Sequence, residues 1–581
     1  MKVNYQYASP SMCLNKDGHT TLGLSPDLSR DERVSFLGKL KDPLTFRDAM
    51  LALREIVISD ATQKKKERVE FFAWLNDEIE RRIKEHEKYA PDLRKSIQDD
   101  IKELEEENLK KDAEIKELQS LSIELSRELD KLNAWKDYYA LERKFWQFLR
   151  DRDLSLWIVL DPVITVHPDE VSFEAFSRDE SMYGCLSIEM DEFEMLKEPK
   201  LGTTNIDFSA KLANEMKRFR TYSDVQLSIN PEGFAVDTGA APEYLEKKID
   251  LPETWIKGFN QVSSAANLNG ITLDLSPIDM YDLCSFLRRH RETKSPRYMK
   301  WILKKDEPIK IVFEPFGKEI TLKSIYTGDK DREEKIWGRR RWLVLEKLIP
   351  LSKSFQVKLF GFGMPQFIIA DLGKMKMTIG FSSWSSNDWV KGTAFNIMSG
   401  FVGDGNYDQV YDLLKKERFM SIDNICKKLS NKNKAGIGSL LKRGEGYYDV
   451  TKDVVRFRRL CNEPIPEELY KTTEIEYEVQ NLIKSTLENF TIRFDEKNDF
   501  VFTNKYNVRN LNAVNTEITI DEDGEISKLK CSCKEFNKGP RNISSPCSHI
   551  LALYMISNKY TKLKLREDKE YTVNDIMEML I

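Results

Sequence analysis

Near its C-terminal end the chain reads CSCKEFNKGPRNISSPCSHILALYMIS. One residue separates Cys531 from Cys533, and one separates Cys547 from His549. Between the pairs lie Gly539, Pro540, Ser544, Ser545 and Pro546, residue types that favour turns and let the two pairs meet. Three thiolates and one imidazole make a Cys3His set that suits tetrahedral Zn2+. Four protein ligands leave no coordination position for water, so the expected ion is structural rather than catalytic. The alternative is a group of reduced free thiols, and four ligand-type residues at matched spacing argue against it.

The elements that must hold these ligands are also legible. NTEITIDEDGEISKLKCSC alternates on both sides of a DEDGE turn and predicts two strands. SHILALYMISNKY predicts a helix. Two ligands then sit at a strand end and two at a helix start. A helix N-terminus favours thiolate and lowers the cost of deprotonating Cys547. The expected apolar members are Ile520, Ile526, Ile550, Leu551 and Leu553, a thin core of the kind that often relies on a metal.

C-x-C, a variable spacer and C-x-H in a ββα setting resembles the SWIM zinc finger. The resemblance reaches further upstream. LDPVITVHPDEVSFEAFSRDES, LGTTNIDFS, LPETWIKGFNQVSSA, SPRYMKWIL with FEPFG, GFGMPQFIIADLGKMKMTIGFSSWSSNDW and GYYDVTKDVVRFRRL look like blocks of the bacterial SWIM zinc finger family. They span most of residues 155–557. That resemblance implies a non-enzymatic component found beside a MoxR-type AAA+ ATPase and a von Willebrand A domain protein. It also implies binding to DNA or to proteins.

A second basic cluster lies upstream. YDQVYDLLKKER predicts one helix, Ser421 caps a second carrying Ile422, Ile425 and Leu429, and 433–442 predicts a third. YYDVTKDVVRFRRL then predicts a β-hairpin, so 405–465 is expected to be winged-helix-like. Lys432, Lys434, Lys442 and Arg443 flank the third helix, and Lys452, Arg456, Arg458 and Arg459 lie on the hairpin. These are candidate nucleic-acid contacts, because phosphates need such cations. Against that, Gly436 and Gly438 weaken the third helix as a recognition helix, and packing or protein interaction is the favoured role.

Charge and length bound the rest. With 91 basic and 96 acidic side chains the net charge is −5, so any nucleic-acid contact must be local. Charged residues make up 32%, above the roughly 25% of ordinary globular chains, and the excess lies in 62–150. There Ile101, Ile115 and Leu129 fall on one heptad position, and Ile97, Leu104, Leu118, Leu125 and Leu132 on the other, with Asn108 as a register residue. Pro91 breaks the pattern, and residues 92–150 would span roughly 90 Å as helix. Heptads alone do not choose between a hairpin folding on itself and coiled-coil self-association.

Residues 155–400 mix strand and helix patterns without a βαβα alternation, so the fold class is α+β and multidomain. Neither a GxxxxGK[ST] loop nor a helix-opening GxGxxG is present, which predicts no nucleotide hydrolysis by the chain itself. Asp161, His167, Glu174 and Asp179, and the block Trp384, Asn387, Asp388 and Trp389, show no acid–base spacing, so no enzyme activity is expected; a site in the 155–400 body is the alternative. No apolar run nears the roughly 18 residues of a membrane helix, and MKVNYQYASPSM has no apolar h-region, so the expected location is cytoplasmic. The expected organisation is 1–61 mixed, 62–150 helical arm, 151–404 α+β body, 405–465 winged-helix-like module, 466–515 connecting segment, 516–560 zinc finger and 561–581 helix.

Overall fold

The computed structural model describes residues 11–16, 19–27, 33–59, 95, 98–99, 162–206, 208, 210–220, 224–230, 253–291, 297–362, 364–382, 389, 394–401, 405–429, 434–461, 474–496, 498–506, 513–521, 526–534, 536, 546–557, 560–561, 565 and 569–580. Contacts divide the chain into one unit of Met1–Asp60 with Val159–Ile581 and another of Ala61–Ile158. The heptad arm belongs to the second unit and lies outside the described residues, save three positions.

The first unit is mixed α+β. Its body is organised on an antiparallel eight-stranded sheet in the order Ile271–Leu275, Ser354–Leu359, Gln366–Asp371, Met375–Phe381, Met182–Glu189, Glu170–Phe176, Val163–Val166, Gly202–Asn205. Strand Glu170–Phe176 is buried on both faces, so that Glu170, Ser172 and Glu174, which alternate with its apolar residues, are enclosed as well. Helix Pro43–Ile58 covers this sheet. Pro43 starts it, the Asp42 carboxylate accepts from the Thr45 amide at 3.1 Å, and Phe46, Met50, Leu53 and Ile56 face inward. The helix comes so close at Gly184 that a Cβ there would lie 2.9 Å from Leu53 and Ile56 side-chain atoms.

Residues 339–347 differ from the amphipathic α-helix that RRRWLVLEKLIPLSK predicts. They form a 3-10 helix opened by Gly338 in the left-handed region at φ 74°. A three-residue period aligns Arg339, Trp342, Leu345 and Leu348, all buried. The three arginines bond carbonyl oxygens of neighbouring segments: Arg339 those of Tyr298 and Glu314, Arg340 that of Leu287, Arg341 those of Ser181 and Ser382. A basic triplet in sequence is therefore a structural staple.

Residues 407–457 contain helices Tyr407–Glu417, Ile422–Leu429 and Lys434–Lys442, and a three-stranded sheet in the order Phe419–Met420, Val454–Phe457, Gly446–Asp449. Val410, Leu414, Ile425, Ile437, Leu440 and Val455 form a small core of their own. The C-terminal sheet runs Ile526–Cys531, Val514–Ile520, Phe500–Tyr506, Thr491–Phe494, Tyr571–Thr572. The zinc-finger strands thus continue directly into 491–506, across the boundary drawn at 515. Helices Glu474–Asn489 and Ser548–Ser557 pack together and against this sheet. The Phe362 amide donates to the Ile526 carbonyl at 3.0 Å and ties the sheet to the body.

Candidate metal centre

Antiparallel pairing of Val514–Ile520 with Ile526–Cys531 carries Cys531 to a strand end. The chain continues to Cys533, whose sulfur accepts from the Phe536 amide at 3.3 Å. Cys547 precedes the helix that begins at Ser548, and His549 lies in its first turn. Ile520, Ile526, Ile550, Leu551 and Leu553 are all buried beneath them. The ligand atoms of Cys531, Cys533, Cys547 and His549 lie within 4.8 Å of one another. Bonds of about 2.0–2.3 Å to a tetrahedral Zn2+ close that span with small side-chain rotations.

Two observations test whether this set fits a metal. His549 Nδ1 is buried and makes no hydrogen bond in the structure, which a coordinate bond would repair. The thiols are also uneven. Cys531 is lowered to about 5, chiefly by the hydrogen bond from Cys547, against the opposing effect of burial. Cys547 is raised, by that same hydrogen bond and by burial. Three buried sulfurs so close together suit a cation, which would neutralise their thiolates. The set fits one structural Zn2+ with no open position.

The upstream cations are placed otherwise than a DNA-reading face requires. Lys432 lies outside the described residues. Lys434 is exposed at the start of its helix. The helix itself is sunk into the fold, with Ala435, Gly436, Ile437, Gly438, Leu440 and Leu441 buried. Lys442 is half-buried at its end, and the Arg443 guanidinium stacks 3.9 Å from the Tyr407 ring centre. Lys452 pairs with Asp169 and Glu170, each at 2.7 Å. Arg456 has no exposed side-chain surface and binds Asp169, Glu170 and Asp449. Arg458 is equally enclosed, paired with Glu174 and set against the Phe259 and Tyr447 rings. Arg456 and Arg458 are corrections to the sequence reading: body carboxylates, which no local pattern reveals, hold them inside a joint. His167 and Glu174 belong to that joint. His167 Nε2 lies 3.1 Å from the Tyr447 hydroxyl, Tyr183 donates to Glu174 at 2.7 Å, and both are closed to a substrate. Asp179 accepts from Ser177 and Ser181 within a turn. Asp161, Trp384, Asn387 and Asp388 lie outside the described residues, and Trp389 is core, donating to the Gly380 carbonyl at 3.2 Å.

Sequence reasoning missed the cations on the outward face of the finger sheet. Lys505, Lys528, Lys530 and Arg493 are exposed there, and Glu517 pairs with the last three at 3.1–3.5 Å. Alternation of Lys528 and Lys530 about buried Leu529 was the available signal.

Residues 517–557 match the model of the SWIM zinc finger family. No protein of curated function matches the chain. Similar solved structures include the Proliferating Cellular Nuclear Antigen of Entamoeba histolytica, at 9% identity over 39% of this chain and 89% of that one, with a TM-score of 0.26. The PCNA2–PCNA3 complex of Sulfolobus tokodaii is 8% identical over 39% and 90%, and A. fulgidus PCNA bound to the C-terminal region of FEN-1 is 10% identical over 40% and 93%, each with a TM-score of 0.26.

Proposed function

We propose that this chain is a zinc-stabilised, non-enzymatic recognition subunit that binds a protein partner and draws its energy from a separate AAA+ ATPase. The observation that carries the reading is closure. The Cys3His set leaves no coordination position for a substrate, and the titratable residues His167, Glu174, Arg456 and Arg458 are sealed inside the molecule. Residues 405–465 act as a winged-helix-like module used for packing: their third helix is buried and their hairpin cations are paired. The resemblance to the bacterial SWIM zinc finger family supports a MoxR-type ATPase and a von Willebrand A domain protein as the partners. Affinity capture from native lysate, run with and without nuclease, tests this. A nuclease-resistant partner ATPase is the expected result. Steady ATP turnover by the purified chain, lost on mutating one of its own carboxylates, would refute it.

The exposed cations of the finger sheet favour a second reading, contact with nucleic-acid phosphates through Arg493, Lys505, Lys528 and Lys530. Such binding weakens steeply as salt rises, because counterions are released. Lys528→Glu with Lys530→Glu should then reduce both the affinity and the salt slope. Loss of the captured partner on nuclease treatment would favour this reading over the first.

A further inference from the structure

We propose that Asn504 and Thr516 form a positioning layer behind the metal centre, in which the Thr516 hydroxyl orients the Cys531 thiolate and the Asn504 amide orients that hydroxyl. The proposal rests on the zinc reading of the Cys3His set. Strand pairing puts Asn504 opposite Thr516, and Thr516 opposite Cys531, so the three stand in one row across the sheet. Side chains so paired are within reach of one another. All three are buried, at 4%, 3% and 6% exposure. Thr516 Oγ1 lies 3.6 Å from Cys531 Sγ. When Cys531 is a thiolate it can only accept, so the hydroxyl must donate to it. The hydroxyl lone pairs then call for a donor on their far side.

Asn504 stands opposite Thr516 in the sheet, and although its amide makes no hydrogen bond to that hydroxyl in the structure, a side-chain rotation supplies the donor once a metal holds Cys531 as thiolate. Its amide lies beside the Tyr506 hydroxyl, yet neither Nδ2 nor Oδ1 reaches hydrogen-bond geometry with any described group. A buried amide left unmatched is costly, and a Leu would fill the same volume without that cost. Its place beside the ligand row gives it a use. Tyr506, two residues along the same strand, completes the layer on the His549 side. Its ring stands edge-on to the His549 ring at 5.0 Å, and its hydroxyl donates to the His549 carbonyl at 3.2 Å. Outer groups of this kind fix the direction of metal ligands, and their loss typically costs about 10–100-fold in metal affinity.

The test uses the full chain. Thr516→Val, Thr516→Ser and Asn504→Leu are compared with Thr519→Val, which removes a buried hydroxyl from the same strand away from the row. Chelator competition gives zinc affinity, Co2+ substitution gives the thiolate–metal absorption bands, and circular dichroism follows the fold. Thr516→Val and Asn504→Leu should each bind one ion with affinity lower by about 10–100-fold and with shifted Co2+ bands. Thr516→Ser should restore both, and Thr519→Val should leave both unchanged. Wild-type affinity and bands in Thr516→Val and Asn504→Leu would overturn the proposal. So would an effect in Thr519→Val equal to theirs. If Asn504→Leu fails to fold, the Thr516 Val/Ser pair decides alone. Wild-type protein that binds no stoichiometric metal would instead overturn the zinc reading itself.

Discussion

At the residue scale, the metal centre gathers three sulfurs and one ring nitrogen within 4.8 Å of one another. Cys547 is the most enclosed by chemistry: its thiol is hydrogen-bonded to Cys531, and it leads into the helix that carries His549. Cys547→Ser removes a soft ligand and leaves a hard hydroxyl among thiolates. Structural zinc contributes on the order of 10 kcal/mol of apparent binding free energy, although Ile520, Ile526, Ile550, Leu551 and Leu553 join the main core rather than the thin separate one expected from sequence. The variant should therefore lose stoichiometric zinc by elemental analysis and become protease-sensitive from about residue 490, since the sheet is continuous from Thr491 to Cys531. A mutant as resistant as wild type would contradict this. The four ligands were legible in sequence because their spacing is local. Asn504 and Tyr506 were not, because strand register alone brings them to the site from more than twenty residues upstream.

At the element scale, the helix Lys434–Lys442 shows why glycines can be misread. Gly436 and Gly438 lower its intrinsic propensity, which argued against a recognition helix. Their purpose is close approach. A Cβ on Gly438 would sit 1.9 Å from the Phe401 carbonyl oxygen, and one on Gly436 would sit 2.9 Å from the Asn406 carbonyl oxygen. Both obstacles are backbone and cannot rotate aside. Gly438→Ala should therefore displace the helix or the 401–406 segment and destabilise the protein by about 1–3 kcal/mol, despite the better helix former. Urea unfolding checks the sign, and a stabilised variant would show that the segment is free to move. Strand patterns fared better: the short alternation of VKLFGFGMPQFIIADLGKMKMTIGF predicts an antiparallel sheet, and Gln366–Asp371 and Met375–Phe381 pair in that way. The 339–347 segment did not, because three-residue and four-residue periods look alike over nine residues.

At the scale of the whole molecule, the joint between the 405–461 module and the body is ionic and sealed. Arg456 faces three carboxylates, so Arg456→Met strands Asp169, Glu170 and Asp449 and should cost about 3–5 kcal/mol in urea unfolding. The joint also sets a pH response, in which its acids oppose one another. Burial raises Glu170 and Glu174, outweighing Arg456 and Arg458, while Asp169 falls well below the usual carboxylate range because Arg456 and Lys452 outweigh burial. A carboxyl raised in the folded state binds its proton more tightly there, so acidification through its range favours folding. A depressed carboxyl does the reverse. Its contribution is complete above the unfolded value of about 3.9 and is lost as pH falls toward the folded one. His167 in the same joint is held well below its ordinary range by burial and by Arg456, so its contribution is lost as pH falls below about 6.5 and opposes that of the two glutamates, while the Asp169 contribution is lost only below about 4. Arg456→Met, which takes away the main cause of the Asp169 depression, should flatten that acid limb while lowering stability at neutral pH. Urea midpoints for both proteins across this range decide the matter: an acid limb below about pH 4 that the mutation leaves unchanged would mean that these charges do not govern the joint.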